Sequence, residues 1–514
     1  MDKSKTTIGK DVIESLTLGM YEDSRFIFRE YIQNSADQID KAVEEKLLDN
    51  LRDGIIDIEI DCSNKTVSIF DNATGIETSK VQPILKNIAQ STKDRTKNKG
   101  FRGIGRLGGL AYCDKLIFET SFKGEPVRSI LIWDSQKLKS IINNRTEKEE
   151  ATSVIDSATE FSTEKESEDS HYFRVTLENV SNKAILNKHD IYQYLTMVAP
   201  VPFGKGFIFK DIILDKAKEL NYEIDEYHIF LNKSQVFKAY TTSIYEGDNG
   251  NKKKIDEIHD IETYEIRNSK NSLLAWGWFS ISSLIKQMPK INTARSVRLR
   301  KGNIQIGLEN TMDKLFKDTR WSKYYFGEVY TVSPDLIPNA RRDYFLETHD
   351  LKEFEKYLAI KFNELQKLNY FSSNIRSEKR KIDEFVAFSK EFEEKTNKGG
   401  FTNNEEKKKY QEKFDSKKEK AIVAEKELEK FKESNTTPSQ NKIFEKIIGE
   451  PEQKVEKVTV NENNEKTKFI TDDIAKLNRK DRKLVSKILS IIDSALTKDL
   501  AENLKHKIVE ELNK

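Results

Sequence analysis

Apolar residues recur at three- and four-residue spacing over residues 8–47, at Ile13, Leu16, Phe28, Ile32 and Ile39, and this period predicts helix. The pattern then switches to alternation in Ile56-Asp57-Ile58-Glu59-Ile60-Asp61 and Thr66-Val67-Ser68-Ile69-Phe70. The run Cys62-Ser63-Asn64-Lys65 between them makes a β-hairpin the expected structure. Lys115 to Phe122, Val127 to Trp133 and residues 172–180 read as further strands. Helices on one side of an antiparallel or mixed sheet are the economical way to bury both kinds of apolar face. The polar segment 145–170, rich in Ser and Glu, reads as a solvated insertion. A second mixed α/β region is expected over 186–370, with strand-like patches at 206–213, 227–231, 273–281 and 325–332 and a closing helix from Leu351 to Leu368.

Beyond residue 370 the apolar positions thin out to Phe385, Phe388, Tyr410, Phe414 and Phe431 among charges of both signs. With Gly399-Gly400 as an interruption, 371–435 is expected to be a charged helical hairpin, and 436–470, around Pro438 and Pro451, a linker. Leu484, Ile488, Ile492, Leu496, Leu500, Leu504, Ile508 and Leu512 form an amphipathic stripe in 471–514, suited either to dimerisation or to folding back on its own domain. The expected division is therefore 1–185, 186–370, 371–435, 436–470 and 471–514.

Composition sharpens this outline. The 514 residues carry 88 Lys+Arg against 86 Asp+Glu, a near-cancellation that argues against a simple polycation on nucleic acid. Two cysteines, Cys62 and Cys113, exclude a disulfide scaffold and suit a reducing compartment. The longest apolar stretch, Leu273 to Ile285, is broken by Gly277 and serines and is too short for a bilayer, and the first residues lack an apolar signal core. A cytoplasmic protein without membrane contact is expected.

Chemistry is concentrated in three segments. Helical spacing puts Glu30, Asn34, Asp37 and Lys41 on one stripe, where a carboxylate and a carboxamide one turn apart can activate water and ligate a hard cation. The same stripe would serve as an ordinary solvated face. Phe70-Asp71-Asn72-Ala73-Thr74-Gly75 ends a strand, either as a plain turn or as a fixed acceptor, Asp71, with Gly75 admitting a planar ligand close to the backbone. Residues 100–109 hold Gly100, Gly103, Gly105, Gly108 and Gly109, enough to converge several N–H groups on an anion.

In order and spacing, Glu30-x-x-x-Asn34-x-x-Asp37, Asp71-x-x-x-Gly75, Gly100-x-x-Gly103-x-Gly105 and Thr176 resemble the ATP-site motifs of the GHKL superfamily, which comprises DNA gyrase B, Hsp90, histidine kinases and MutL. Arg29-Glu-Tyr-Ile-Gln-Asn-Ser-Ala-Asp37, Ile88-Ala-Gln-Ser-Thr-Lys93 and Asp335-Leu-Ile-Pro-Asn-Ala-Arg-Arg-Asp343 are most similar to Hsp90. The resemblance covers about 8–120 strongly, thins to 370 and stops there. It implies an α+β chain: a GHKL (Bergerat) α/β sandwich, a mixed α/β middle domain of ribosomal-S5-like character, and C-terminal helices.

The resemblance further implies ATP and Mg²⁺ as cofactors. Glu30 becomes the general base and Asn34 the Mg²⁺ ligand, with Asp37 in the same pocket. Asp71, with Gly75 and Thr176, takes the adenine. Gly100, Gly103 and Gly105, with Ile104 beside them, belong to a lid whose backbone amides meet the phosphates, Lys93 or Arg102 takes the phosphate contact that a lysine at position 90 would make, and Arg342, or its neighbour Arg341, reaches the γ-phosphate. Ala73 and Gln90 depart from the family's glycine and lysine at those places.

The function so implied is an ATPase whose lid closure and homodimerisation act on a protein partner or client. Two rivals remain open: an ATP-gated DNA clamp of MutL or MORC type, and a nucleotide-binding scaffold with little turnover. For the basic run Arg295-Ser-Val-Arg298-Leu-Arg300-Lys301, a solvated edge strand is the favoured reading over a strand lining the nucleotide or binding another polyanion.

Overall fold

The structure is a computed structural model and describes residues 8–17, 23–88, 105–144, 149–248, 250–397, 401–434, 437–449, 455, 469–472, 474 and 476–514. It divides into two compact units, Met1–Gln366 and Lys367–Lys514. In the first unit, α1 (Asp11–Thr17) and α2 (Phe26–Glu44) precede the antiparallel hairpin of β1 (Ile55–Asp61) and β2 (Thr66–Asp71). Next come α3 (Thr78–Lys86), a 3-10 turn over Gly105–Ala111, β3 (Lys115–Ser121), β4 (Val127–Asp134), α4 (Ser135–Asn143), α5 (Ala151–Ser157), β5 (Thr159–Lys165) and β6 (Tyr172–Glu178). After α6 (Lys183–Leu186), α7 (Lys188–Val198) and α8 (Lys210–Glu219), the short strands β7 (His228–Leu231) and β8 (Ser234–Gln235) return to the same sheet. Its order is β5-β4-β3-β6-β2-β1-β7-β8.

Alternation explains the packing. Ile56, Ile58 and Ile60 of β1 and Val67 and Ile69 of β2 are buried against Ile27, Phe28, Tyr31, Ile32 and Ile39 of α2. Each such aliphatic side chain contributes roughly 1.5–3 kcal/mol by leaving water. This layer of helix on sheet fixes the α2 face that carries Glu30.

The second sheet comprises β9 (Ser243–Glu246), β10 (Lys253–Arg267), β11 (Leu273–Ser282), β12 (Ser296–Lys301), β13 (Ile304–Ile306) and β14 (Phe326–Thr331), in the order β13-β12-β14-β11-β10-β9. It is cored by rings: Trp278 packs on Tyr240 at 5.0 Å, Phe207 at 5.8 Å and Phe326 at 6.0 Å between centroids. The long helix α9 (His349–Asn397) begins in this unit and continues into the second. There it is followed by α10 (Asn404–Glu433), α11 (Pro438–Ile448), α12 (Arg479–Ala495) and α13 (Lys498–Asn513). Phe385, Phe392, Phe401 and Phe414 core the α9–α10 hairpin, and Ile474, Leu489 and Val509 core the α12–α13 pair. The architecture is α+β with a helical C-terminal region.

Four expectations are corrected. Residues 151–165 are not a bare insertion: α5 buries Ala151 and Val154, and β5 is the edge strand paired with β4. The patch at 206–213 is a turn entering α8, because Ile213 and Ala217 are the apolar positions one helical turn apart. Within 436–470 a helix, α11, is started by a capping box of Thr437 and Gln440. The basic run is no solvated edge. β12 lies between β13 and β14, and Arg298 and Arg300 are buried.

Trp278→Ala should destabilise the first unit by ~3–5 kcal/mol, since no neighbouring ring can collapse into so large a void. The check is urea unfolding followed by far-ultraviolet circular dichroism.

Candidate active site

On α2, Phe28, Ile32 and Ala36 face the core, while Glu30, Asn34 and Asp37 follow the adjoining stripe. Asp37 is buried, Asn34 half-buried and Lys41 exposed. The Glu30 side chain is 12% exposed, and its Oε1 lies 3.6 Å from Arg29 Nη2 and 3.6 Å from Arg342 Nε. That oxygen has no hydrogen-bond partner among the described residues. A nearly dry carboxylate oxygen between two guanidinium groups, beyond direct bonding distance of either, is placed to hold a water or another donor.

Arg342 comes from the loop that follows β14. Its φ is +53°, a left-handed conformation uncommon outside glycine. Three contacts hold it there: its N–H donates to Asn339 O at 3.2 Å, Gly307 N–H donates to its carbonyl at 2.8 Å, and Arg29 donates to that carbonyl at 3.4 Å. Arg29 also donates to Arg341 O at 3.0 Å. Asn339 Nδ2 donates to Asp343, closing the loop on itself. Arg342 is buried and Arg341 exposed, so Arg342 is the one of the pair that approaches Glu30.

Arg29 escaped the sequence reading, although it was visible there as a charge in phase with Ile32 and Ala36. It is 1% exposed, its guanidinium lies 4.4 Å from the Phe26 ring centroid, and it touches both Glu30 and the arginine loop. Its role joins residues 312 and 313 positions apart in the chain, which no local period can signal.

Asp71, at the end of β2, is buried on the helix-facing side of the sheet. It accepts from Ser35 of α2 and, at 3.2 Å, from Ala73 N–H. Burial pushes its carboxyl up to about 7, against those two bonds. Such a group is a strong acceptor for any donor that enters, an amino group included.

Gly75 has φ +66°, and a Cβ there would stand 1.8 Å from Ser121 O. Its glycine requirement thus comes from backbone packing against β3, not from space for a planar ligand. Thr176 is also displaced from its expected role. It pairs with Ser68 and Ile117, whereas Asp71 shares its face with Val67 and Ile69, so the strand period places Thr176 on the opposite face. The residue that does reach the Asp71 loop from the β6 side is His171, whose Nδ1–H donates to Ala73 O at 2.8 Å. Neither Ser35, which sits inside the 29–37 motif among residues of the apolar stripe, nor His171, which lies outside every motif, carries a role in the sequence reading.

Gly105 opens the 3-10 turn, and a Cβ there would sit 2.3 Å from Glu30 Oε2. Any side chain would displace the carboxylate. Tyr31 OH donates to Arg106 O at 3.0 Å and accepts from Gly109 N–H at 3.2 Å, so α2 itself anchors this turn. Lys93, Gly100, Arg102, Gly103 and Ile104 lie outside the described residues. The structure therefore brings together Glu30, Gly105 and Arg342, and ties Asp71 of β2 to the same helix through Ser35.

Comparison with known proteins places the first part of the chain beside a family of ATPases. Residues 22–167 match the family model for the histidine kinase-, DNA gyrase B- and HSP90-like ATPase. Curated relatives include the chaperone protein HtpG of Buchnera aphidicola subsp. Baizongia pistaciae, 30% identical over 170 residues, covering 30% of this chain and 27% of the relative. HtpG of Fusobacterium nucleatum subsp. nucleatum is 29% identical over 128 residues, covering 22% and 21%. HtpG of Methylococcus capsulatus is 28% identical over 155 residues, covering 26% and 24%. The chain spans about a quarter of the length of the curated relatives it matches. The resemblance to GHKL ATPases, and among them to the Hsp90 type, stands for this segment.

Asp71 sets a pH dependence. Its folded pKa, about 7, lies above the ordinary 3.8, so the folded state holds the proton more tightly than the unfolded chain. Stability is fully present below pH 3.8, falls as pH rises toward 7, and levels off above. The fall attributable to this one group is at most roughly 4 kcal/mol. Asp71→Asn should flatten that slope in denaturant titrations between those pH values.

Proposed function

We propose that this protein is a magnesium-dependent ATPase of the Hsp90 type, in which nucleotide drives lid closure and dimerisation cycles that act on a protein partner. The observation that carries the reading is the meeting of Glu30 and Arg342: a carboxylate from the helix beneath one sheet and a cation from the loop beyond the other, 3.6 Å apart. Glu30 acts as general base, orienting and deprotonating the attacking water at the open Oε1. Arg342 stabilises charge that develops on the transferred phosphoryl group. Asp71 accepts from the adenine amino group, and Gly105, with the glycines that precede it, brings backbone N–H groups to the phosphates.

The donor set suits magnesium. Asn34 offers a neutral oxygen one turn from Glu30, the hard ligand such an ion prefers. When bound, the cation neutralises phosphate oxygens and orients them. Asn34 would hold it while Glu30 keeps its oxygen for water.

In the second unit, Leu484, Ile488 and Ile491 of α12 and Leu500 and Leu504 of α13 are exposed, although the opposite faces of both helices are packed. This face supports a homodimer through the C-terminal helices. No helix among the described residues is long and apolar enough to cross a membrane. The DNA-clamp alternative loses part of its footing, since Arg298 and Arg300 are buried rather than displayed on the surface.

Glu30→Ala should leave ATP affinity within a few-fold of the parent and lower phosphate release by ~100-fold or more. Asp71→Asn should abolish binding. Calorimetric titration and a phosphate-release assay separate the two effects. Normal turnover in Glu30→Ala would refute the mechanism, and binding without turnover in the parent protein would favour the scaffold. ATP-dependent DNA retention at low salt would favour the clamp.

Ile488→Glu combined with Leu504→Glu should shift the protein toward monomer in sedimentation velocity without altering its helical content. An unchanged sedimentation coefficient would place the dimer contact elsewhere.

A further inference from the structure

A second charged assembly lies wholly inside the first unit and takes no part in the chemistry above. Lys238, just after β8, donates to Glu328 Oε2 at 2.7 Å, to Asn303 Oδ1 at 2.9 Å and to Tyr330 OH at 3.1 Å. Arg300 of β12 pairs with the other oxygen of Glu328, donates to Asn303 O at 2.8 Å and reaches Met197 O, at the end of α7, at 2.7 Å. The side chains of Lys238, Arg300 and Glu328 are 0% exposed. Two cations thus share one carboxylate. Burial raises Glu328, yet Arg300 and Lys238 hold it down at about 2, and burial pushes Lys238, the surplus cation, down to about 7.

Both cations grip the same turn. Asn303 has φ +55° between β12 and β13, and its Nδ2 also donates to Asp225 O at 2.6 Å. Four residues further on, after β13 (Ile304–Ile306), comes Gly307, whose N–H holds the Arg342 carbonyl at 2.8 Å. A Cβ on Gly307 would meet Asp343 O at 2.6 Å, so hairpin and arginine loop are in close backbone contact.

We propose that Lys238, Arg300 and Asn303 are positioning residues for hydrolysis: by fixing the β12–β13 turn to segment 197–238, they set where Gly307 presents Arg342 to Glu30. The proposal rests on the ATPase reading for its kinetic consequence, though not for its structural one. A buried ion cluster costs solvation that an apolar core would not, which is consistent with retention for placement rather than for stability.

The test uses the full chain and two variants. Lys238→Met leaves one cation on one carboxylate and should fold. Asn303→Gly keeps the left-handed backbone and removes only the side-chain anchor. In each, ATP affinity by calorimetry should stay within twofold of the parent, while kcat falls about tenfold, as expected for a misplaced group remote from the chemistry. Hydrogen–deuterium exchange in the peptides containing Gly307 and Arg342 should quicken by about tenfold. In an Arg342→Ala background, Lys238→Met should cause no further loss of kcat, because the effect runs through Arg342. Unchanged exchange at those peptides in both variants, or equal losses of kcat with and without Arg342, would overturn the proposal. Should the parent bind ATP without releasing phosphate, only the ATPase reading falls, and exchange alone decides the positioning.

Discussion

A carboxylate oxygen can take a proton from water only if no bond already occupies it, and Oε1 of Glu30 meets that condition among the described residues. Arg29 and Arg342 stand 3.6 Å from its Oε1, flanking the oxygen but too far away to occupy it with a hydrogen bond. That spacing depends on α2 lying on the sheet in one register and on the loop at 339–343 closing against α2. Gly105 adds the third boundary, since it leaves no room for the carboxylate to swing toward the glycine-rich turn. Helix–sheet packing, loop docking and glycine placement all converge on the freedom of one side chain.

Arg29 links these constraints. Burying an arginine is costly unless its donors are used, and here Nη1 and Nη2 donate to two main-chain carbonyls from a distant loop and the ring of Phe26 covers the guanidinium, while Nε has no partner among the described residues. The same group lies beside Glu30. Docking of the arginine loop and the surroundings of Glu30 are therefore not separate properties: removing the loop would leave Nη1 and Nη2 of Arg29 without their carbonyl acceptors beside Glu30.

What the sequence made legible follows from periodicity. The hairpin β1–β2, the strands β3, β4 and β6, and the stripe of Glu30, Asn34 and Asp37 all rest on local spacing and fall where it put them, whereas the expected helix from Leu351 to Leu368 and the first arm of the charged hairpin are one helix, α9. What it hid depends on strand order and register. Alternation in 295–301 is the same for an edge strand and a central one, and only the insertion of β12 between β13 and β14 buries Arg298 and Arg300. Thr176 was assigned by its place in a motif, yet its pairing with Ser68 puts it on the wrong face for Asp71. In both cases one residue of register, or one neighbour in the sheet, reverses the meaning of an unchanged sequence.

The left-handed backbone at Arg342 shows how firmly the loop is determined. A non-glycine residue at φ +53° costs about 1–2 kcal/mol, so a free loop would relax away from it. Hydrogen bonds from a charged donor contribute about 1.5–3 kcal/mol each, and the shorter of the two that Arg29 gives this loop is enough to offset the strain. The bond from Gly307 adds to that margin. Glycine at 342 would remove the strain along with the cation, whereas arginine keeps the cation and makes its placement conditional on the contacts that hold the loop. The strained conformer is therefore a product of docking, and the cation stands at Glu30 only when α2 and the β12–β13 hairpin are both in place to receive its carbonyl.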